Sequence, residues 1–565
     1  MNRAPALALL TALTMPLSPA HAFSFEPAPL PSDDTQADPV LASPAYEDDK
    51  GRHDLGYQVL LHSGEHRADQ IFGLLTNRQG NLVHRPDGGA TVSQKNDYSS
   101  LLQVNGGLFM VTQFEQLPGA LYLSQLTQEP ADGRLTVERT RPLDLAPIQG
   151  GWNFCAGSTT PWQTHLGAEE YEPDAAARDP KSGAIDKYFR AMAAYADGDP
   201  ASLDPYDYGW MVEVSVRDYD DVSLARRYAL GRFSHEVGLV MPDRRSVYLT
   251  DDAVNTALYR FVADRPGDLA DGTLYAARWH QTADQAGGAA RIDWVSLGHA
   301  EGRAIAAALK RKIRFDDLFE RKPPRQDGAC PADFGSVNTR FGHECLRLKP
   351  GMETLASRLE TRRFAALRGA TTEFRKMEGL TFDPATRQLF VAVTAIERGM
   401  EDRQDKGAAD NRYDAGGRNH IRLPYNPCGA VYALPLDDSY TATGMQALLT
   451  GQPIEDDPEN SCATSGIANP DNLTFLTGRH TLVIAEDSAH GHLHNLLWAY
   501  DLKRSALTRI LSAPLGAEVT GSYAYPDING WTYLMCTIQH PDAGPALTGY
   551  LGPIRAAPVK HPKTP

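Results

Sequence analysis

The segment from Trp152 to Trp162, WNFCAGSTTPW, places one cysteine among small and aromatic residues, and an acidic pair, Glu169–Glu170, follows it. A thiolate is a ligand for iron or another soft metal, and paired carboxylates are ligands for calcium or iron. Because carboxylates recur downstream at the same place in a repeated pattern, these residues predict a metal centre that is assembled from several parts of the chain.

The repeated pattern consists of an acidic residue, an apolar strand, a turn with Pro or Gly, and a return strand. The four leading acids are Glu236, Glu378, Asp471 and Glu518, which lie 142, 93 and 47 positions apart, close to three, two and one times 47. One unit of about 40–50 residues is what a propeller blade occupies. We therefore expect an all-β chain folded as a β-propeller, with helical insertions between blades.

The propeller geometry would bring these acids together. The innermost strand of each blade lines the central channel, and the antiparallel strand that follows returns to the same rim. Glu236 should therefore meet Asp252, and Asp471 should meet Asp487. Anions that are so close raise each other's pKa or require cations, so bound metal is favoured. The alternative, that each acid merely caps a turn, explains any one of them but not all four.

Composition limits the classes of partner. The 565 residues carry a net charge of −16, which argues against nucleic acid, and 42 % are hydrophobic, which is typical of a soluble globular protein. After the first residues no apolar run approaches the roughly 20 residues of a membrane helix, so we expect no membrane partner. Closed propellers are commonly monomeric, and we expect a monomer.

The first 22 residues have the pattern of a secretory signal peptide. Arg3 provides a positive start, Ala4 to Leu17 is mostly apolar, and Ala20-His21-Ala22 is a small-x-small cleavage site. This N-terminal segment has no twin-arginine pair and no cysteine at the cleavage site. We therefore expect general secretory export, to the periplasm or outside the cell.

The domain boundaries follow from these patterns. We expect a lead-in with the first strands over residues 23–90, a propeller catalytic domain over 91–555, and a short tail over 556–565. Apolar residues at helical spacing predict a helical insertion near 300–370.

Six cysteines suit an oxidising compartment and allow fifteen full pairings. We favour Cys330–Cys345 and Cys428–Cys462, because each pair flanks a loop-like stretch. Cys155 would then be free for metal, with Cys536 buried in a strand. A disulfide that involves Cys155 is the alternative.

At these residues the chain resembles the PhoX-type alkaline phosphatases, a family of secreted β-propeller metalloenzymes. The resemblance covers roughly residues 90 to 545. Its motifs are Asn96-Asp97-Tyr98, Cys155-Ala156-Gly157 through Glu169-Glu170, Tyr208-Gly209-Trp210, Gly231 to Glu236, Tyr248 to Asp252, Lys376 to Gly379, Pro470 to Leu473, Gly516 to Gly521 and Gln539-His540-Pro541.

The resemblance implies a six-bladed propeller with a cluster of ferric iron and calcium on its axis, which hydrolyses phosphate monoesters and some diesters. By motif, Cys155 resembles an iron ligand, and Glu236 and Glu378 resemble carboxylates of the central cluster. The weaker candidates, mainly toward calcium, are Asn96, Asp97, Glu169, Glu170, Asp471, Asn472 and Glu518.

Members of the family often carry Arg-Pro-Glu at a position where this chain has Lys376-Met377-Glu378. Lysine is a point charge and cannot hold two phosphate oxygens as arginine does. We expect Lys376 and Glu378 to be catalytic residues acting on a small phosphate ester. Two other functions stay open at this point: a calcium-dependent propeller lactonase, and a non-catalytic, metal-stabilised propeller that binds a partner.

Overall fold

The computed structural model describes residues 23–31, 39–177 and 187–557. The signal peptide predicted for residues 1–22 and most of the tail predicted for 556–565 lie outside the described residues. Over the ranges that are described, no helix is long and apolar enough to cross a membrane.

The N-terminal part supplies short strands: β1 (Ser24–Phe25), β2 (Leu41–Ala42), β3 (Ala45–Asp48), β4 (Gly51–Asp54), β5 (Tyr57–His62), β6 (His66–Arg67) and β7 (Gln70–Ile71). Strands β1, β3 and β4 form a small sheet, and β6 pairs with β7. The two remaining strands, β2 and β5, join larger sheets that are formed further along the chain.

Six antiparallel meanders of four strands make up most of the described residues, and β21 (Ala289–Glu301) joins the third and the fourth into one nine-stranded sheet. The first three are β8 (Asn96–Val104), β9 (Gly107–Phe114), β10 (Ala120–Gln128) and β11 (Leu135–Pro142); then β12 (Phe154–Thr159), β13 (His165–Glu169), β14 (Met211–Asp218) and β15 (Asp221–Arg226); then β16 (His235–Val240), β17 (Ser246–Asp251), β19 (Tyr259–Arg265) and β20 (Asp268–Ala283), with β18 (Val254–Thr256) inserted.

The other three meanders follow a long insertion. They are β26 (Met377–Asp383), β27 (Gln388–Val393), β30 (Ala430–Pro435) and β31 (Gly444–Thr450), with β28 (Gln404–Asp405) and β29 (Ala408–Ala409) inserted; then β32 (Pro470–Leu476), β33 (Thr481–Glu486), β34 (Leu496–Asp501) and β35 (Ala506–Ser512); then β36 (Glu518–Ile528), β37 (Trp531–Gln539), β38 (Leu547–Arg555) and β5.

The first strands of the meanders form a closed ring. Each of β8, β12, β16, β26, β32 and β36 contacts the next, and β36 contacts β8. The ring is closed by the chain itself, because β5 pairs with β38 and so completes the last meander with an early strand. The prediction of an all-β propeller is confirmed.

The core lies between neighbouring meanders. Six hydrophobic clusters each combine residues of two adjacent meanders, for example Met110 with Tyr533, Val111 with Val212, and Phe390 with Ile484. Because each meander packs on both faces, middle strands such as β33 are buried along their whole length. This packing explains why the middle strands consist of apolar runs without a polar face.

The insertion after β21 (Ala289–Glu301) contains helices and a small sheet: α2 (Gly302–Lys310), α3 (Phe315–Leu318), β22 (Phe319–Lys322), β23 (Gly335–Thr339), β24 (Gly342–Leu348), α4 (Glu353–Leu359), α5 (Thr361–Leu367) and β25 (Phe374–Arg375). A further helix, α1 (Lys187–Ala191), lies between β13 and β14. Buried Arg362 of α5 bonds to Asp251 and Glu172, which ties the insertion to the propeller.

Both predicted disulfides are present, Cys330–Cys345 and Cys428–Cys462. Cys155 and Cys536 are free, and Cys536 is buried in β37. The predicted pairing of the cysteines is therefore confirmed, whereas metal binding by Cys155 stays a prediction. Because Cys330 and Cys345 are bonded to each other, their proximity to His343 does not form a metal site.

Candidate functional site

Five of the six inner strands share a break in register near their N-terminal ends. In β8, β12, β16, β26 and β32, two residues oppose one residue of the return strand directly after the first pair. Such a β-bulge re-aims a side chain. The first residue of each bulge lines one common cavity, and these residues are Asp97, Cys155, Glu236, Glu378 and Asp471.

The return strands add a second set of polar groups. The residue directly after β9, β13, β17 and β33 is an acid that lines the same cavity: Glu115, Glu170, Asp252 and Asp487 respectively. The matching residue after β27 is Thr394, which donates to Glu378 Oε1 over 2.8 Å. In the sixth meander Glu518 and His540 lie on the rim, with His540 Nε2 2.7 Å from Glu518 Oε1.

The cavity has a volume of about 220 Å³. Three sets of side chains bring their ligand atoms within 4.8 Å of one another: Cys155 with Glu170 and Glu236, Glu236 with Glu378 and Asp471, and Asp471 with Asp487 and Glu518. Because neighbouring sets share Glu236 and Asp471, the three form one continuous row. The convergence expected of the four leading acids is what the structure shows.

This crowding is electrostatically unfavourable without cations. Burial raises the pKa of five of these carboxyls well above the ordinary value, and neighbouring carboxylates raise the pKa further. The five residues are Asp97, Glu170, Glu236, Asp471 and Glu518. Burial and Asp252 raise the pKa of Glu378 to about 7. Burial, then Glu236, raise the pKa of the Cys155 thiol, whose Sγ is 3.4 Å from Glu236 Oε1.

The donor set fits multivalent metal ions. Three buried oxygens of the cavity have no hydrogen-bond partner: Asp97 Oδ1, Glu236 Oε2 and Asp252 Oδ1. Buried polar atoms without a partner are costly, and cations would satisfy these oxygens and neutralise the charges. The thiol lies at one end of the row, whereas the other end, Asp471 to Glu518, offers only oxygen. A thiolate suits iron, and an all-oxygen set suits calcium.

Lys376 is a cation in the wall of this acidic cavity. Its Nζ lies 2.9 Å from Glu378 Oε1 and 3.5 Å from Asp252 Oδ2, and its side chain is 18 % exposed. Burial alone would lower the pKa of Lys376, but Asp252 and Glu378 raise it well above the ordinary value. The Tyr171 hydroxyl donates to Asp252 Oδ2 over 2.8 Å and so orients that carboxylate.

Three predicted residues do not line the cavity. Glu169 is held by Arg226 at 2.7 Å and by the backbone N–H groups of Gly209 and Trp210, so both its oxygens are engaged elsewhere. We withdraw Glu169 as a ligand, because its side chain leaves the opposite face of the strand from that of Glu170.

The other two residues are amides next to acids of the cavity. Asn96 Nδ2 donates to Thr548 Oγ1 over 2.7 Å, and Asn96 Oδ1 is buried without a hydrogen-bond partner. Asn472 donates to Asp471 Oδ1 over 2.5 Å and accepts from Thr520, so it supports Asp471. Asn472 is withdrawn as a ligand, because its amide groups bond to Asp471 and Thr520, whereas the ligand role of Asn96 stays a prediction.

Sequence reasoning missed five residues of the wall: Lys95, Glu115, Tyr171, Thr520 and His540. Glu115 had a signal, because it directly follows the return strand of its hairpin, as Asp252 and Asp487 do. His540 similarly follows β37. Lys95 and Tyr171 lie just outside the repeated unit, and no pattern indicated them.

Comparison with known proteins identifies relatives. The family model of alkaline phosphatase PhoX matches residues 119–542. The structure of Pseudomonas fluorescens PhoX in complex with vanadate, a transition state analogue, is similar at 16 % identity and a TM-score of 0.58, over 94 % of this chain and 98 % of that chain.

The chain shows weaker similarity to a second solved structure. A calcium structure of Trichoderma reesei carbohydrate-active enzymes family AA12 has 10 % identity and a TM-score of 0.34, over 88 % of this chain and 99 % of that chain. The comparison with curated proteins gives no match. The likeness to the Pseudomonas protein shows a shared propeller fold.

Proposed function

Because the chain belongs to the PhoX alkaline phosphatase family, we propose that its acid-lined cavity is where this metal-dependent phosphatase hydrolyses phosphate monoesters. The observation that supports this location is the row of carboxylates and one thiol around a cavity of about 220 Å³. Neither the lactonase nor the non-catalytic binding module is favoured by the family match.

We assign the metals by donor chemistry. Cys155, Glu170 and Glu236 would hold ferric iron, because they combine a thiolate with carboxylates. Asp471, Asp487 and Glu518 would hold calcium, because they offer only oxygen. Glu378 lies between the two sets, next to Glu236 and Asp471, and its carboxylate would be a ligand shared by both sites.

The residues of the chain position the substrate. Multivalent cations, when bound, polarise phosphate oxygens and neutralise the charge that develops during phosphoryl transfer. Lys376 holds a phosphate oxygen as a permanent cation, and Glu378 and Asp252 fix its ammonium group. Thr520 Oγ1 donates to Asp97 Oδ2 over 2.9 Å, and Gln539 Nε2 donates to it over 3.3 Å. These two bonds hold the Asp97 carboxylate in the wall of the cavity.

We further propose that the propeller has six blades, that the protein is a monomer, and that it is periplasmic or secreted. The closed ring of six first strands supports the blade number. The two disulfides support an oxidising compartment. Cleavage after Ala22 is tested by the N-terminal sequence of protein purified from a periplasmic fraction, which should begin at Phe23.

The metal assignment is tested by elemental analysis of the native protein together with p-nitrophenyl phosphate hydrolysis, with and without chelator. We expect iron and calcium, and loss of activity on chelation. Cys155→Ser should lose iron, whereas Cys536→Ser should retain it, because that free cysteine is buried away from the cavity. Full iron in Cys155→Ser, or calcium as the sole metal of the native protein, would refute the iron site.

A further inference from the structure

A second and larger cavity adjoins the proposed metal cavity. Its volume is about 720 Å³, and Asp487 and His540 line both cavities. Its walls come from the loops around residues 457–461, 487–495, 515–517 and 540–542. The size lies within the range of small-molecule sites, roughly 300–1,000 Å³.

The chemistry of the two cavities differs. The larger one has apolar wall at Leu493, which is 42 % exposed, and at Leu515, and it carries the carboxylates of Asp457, Glu459 and Asp542. Among the described residues that line it, none is Lys or Arg, whereas Lys95 and Lys376 line the metal cavity. Phosphate therefore suits the smaller cavity, and an organic group without negative charge suits the larger one.

Local hydrogen bonds hold this wall in place. Asp457 Oδ1 accepts from the backbone N–H groups of Glu459 and Asn460, and Asn460 Oδ1 accepts from Leu493 N over 2.9 Å. Gly516 has a φ of +72°, and a Cβ there would lie 2.2 Å from Asp542 Oδ1. The glycine thus allows the Asp542 carboxylate to lie against the loop, and the cavity is formed before any ligand binds.

We propose that the larger cavity is the leaving-group subsite, and that it favours phosphomonoesters of cationic or neutral alcohols over those of alcohols that carry a further anionic group. In the reaction, water adds its oxygen to phosphorus, the P–O bond to the alcohol breaks, and the alcohol leaves with a proton. The alcohol then lies against Leu493 and Leu515, with its cationic group near Glu459 and Asp542. The inference rests on the proposed function.

The test compares kcat/KM of the metal-loaded enzyme for phosphocholine, p-nitrophenyl phosphate and 3-phosphoglycerate. The double variant Glu459→Gln/Asp542→Asn should lower the ratio of phosphocholine to 3-phosphoglycerate about three- to tenfold, since exposed charge pairs contribute about 0.2–1 kcal/mol each. The kcat/KM for p-nitrophenyl phosphate, whose alcohol carries no further charge, should change less than that for phosphocholine. Asp438→Asn, an exposed acid that lines neither cavity, is the control and should leave the ratio unchanged.

The ratio in the double variant decides the proposal. An unchanged ratio, or equal loss with all three esters, would overturn the subsite while the phosphatase activity stands. Absence of phosphate release from all three by the native enzyme would instead overturn the proposed function, and the subsite with it. Raising the salt concentration should diminish the native preference, because these carboxylates are exposed to solvent.

Discussion

At the scale of single residues, the adjacent acids Glu169 and Glu170 have different roles. They follow one another at the end of β13, so their side chains leave opposite faces of the strand. Glu169 forms a buried pair with Arg226, whose side chain is 2 % exposed, while Glu170 lies with Cys155 and Glu236. The same residue type is therefore structural at one position and a candidate ligand at the next.

The change from Glu to Gln should therefore have a different effect at each of these two positions. Glu169→Gln should lower the free energy of unfolding by about 3 kcal/mol, because it leaves Arg226 buried without its partner. Glu170→Gln should instead reduce the metal content of the purified protein. Urea unfolding and elemental analysis of both variants measure the two effects, and loss of metal in Glu169→Gln alone would reverse our assignment.

Lys376 allows a second prediction at this scale. Lys376→Met should lower kcat/KM for p-nitrophenyl phosphate about tenfold to a hundredfold, since hydrogen bonds to charged groups contribute about 1.5–3 kcal/mol. Lys376→Arg should retain most of the activity, because it keeps the cation. Exposed Lys503→Met is the control. An active Lys376→Met variant would exclude the lysine from substrate binding.

At the scale of elements, the repeated bulge explains how unrelated side chains reach one axis. In a regular strand, consecutive side chains alternate between the two faces of a meander, and both faces are buried against neighbouring meanders. The extra residue in β8, β12, β16, β26 and β32 turns one side chain toward the axis instead. The return strand of the same hairpin ends at this rim, so the polar residue that directly follows it lies beside the side chain of the bulge.

The hairpin β33–β34 contains a pH-dependent contact. His492 Nδ1 lies 2.9 Å from Glu486 Oε2, and both side chains are buried. Burial alone would lower the pKa of His492, but the hydrogen bond with Glu486 raises it above the ordinary 6.5. The stability from this pair is therefore fully present below pH 6.5 and is lost as the pH rises through the folded-state pKa.

We expect Tm to fall as the pH rises from 6.5 through the raised pKa of His492, by a part that depends on this residue. The substitution His492→Gln should remove this part and leave the rest of the profile. Calorimetry at several pH values measures both profiles. Parallel profiles of the native protein and the variant would show that the pair does not contribute.

At the scale of the whole molecule, ring closure makes the site and the stability interdependent. The six inner strands contact one another in a circle, and acids from several of them face the same axis. Without cations these like charges oppose the closed ring, whereas bound ions link the meanders across it.

Metal removal should therefore destabilise the entire propeller. Chelation should lower Tm by about 3 °C for each ion removed, because a ligand at a thousand times its Kd contributes about 4 kcal/mol and the entropy of unfolding of a chain of this length is about 1.2 kcal/mol/K. Adding calcium and iron back should restore Tm. Calorimetry with and without chelator measures the shift, and an unchanged Tm would show that the cavity binds no stabilising ion.

Features that depend on local or repeated patterns could be predicted from the order of the residues alone. The leading acids at intervals near 47 predicted the propeller, and loop-flanking cysteines predicted both disulfides. The antiparallel return of each hairpin also predicted that Asp252 and Asp487 reach the rim. These inferences succeed because strand alternation and hairpin return are set by backbone geometry within one meander.

The contacts between side chains of different meanders could not be predicted in this way. Lys95 and Tyr171 lie outside the repeated unit, and they line the cavity because the closed ring brings their loops to the axis. Arg226 and Glu169 are 57 positions apart, and their pairing needs β13 and β14–β15 in one sheet. The larger cavity likewise arises between loops of different meanders, and such contacts depend on packing over long sequence separations.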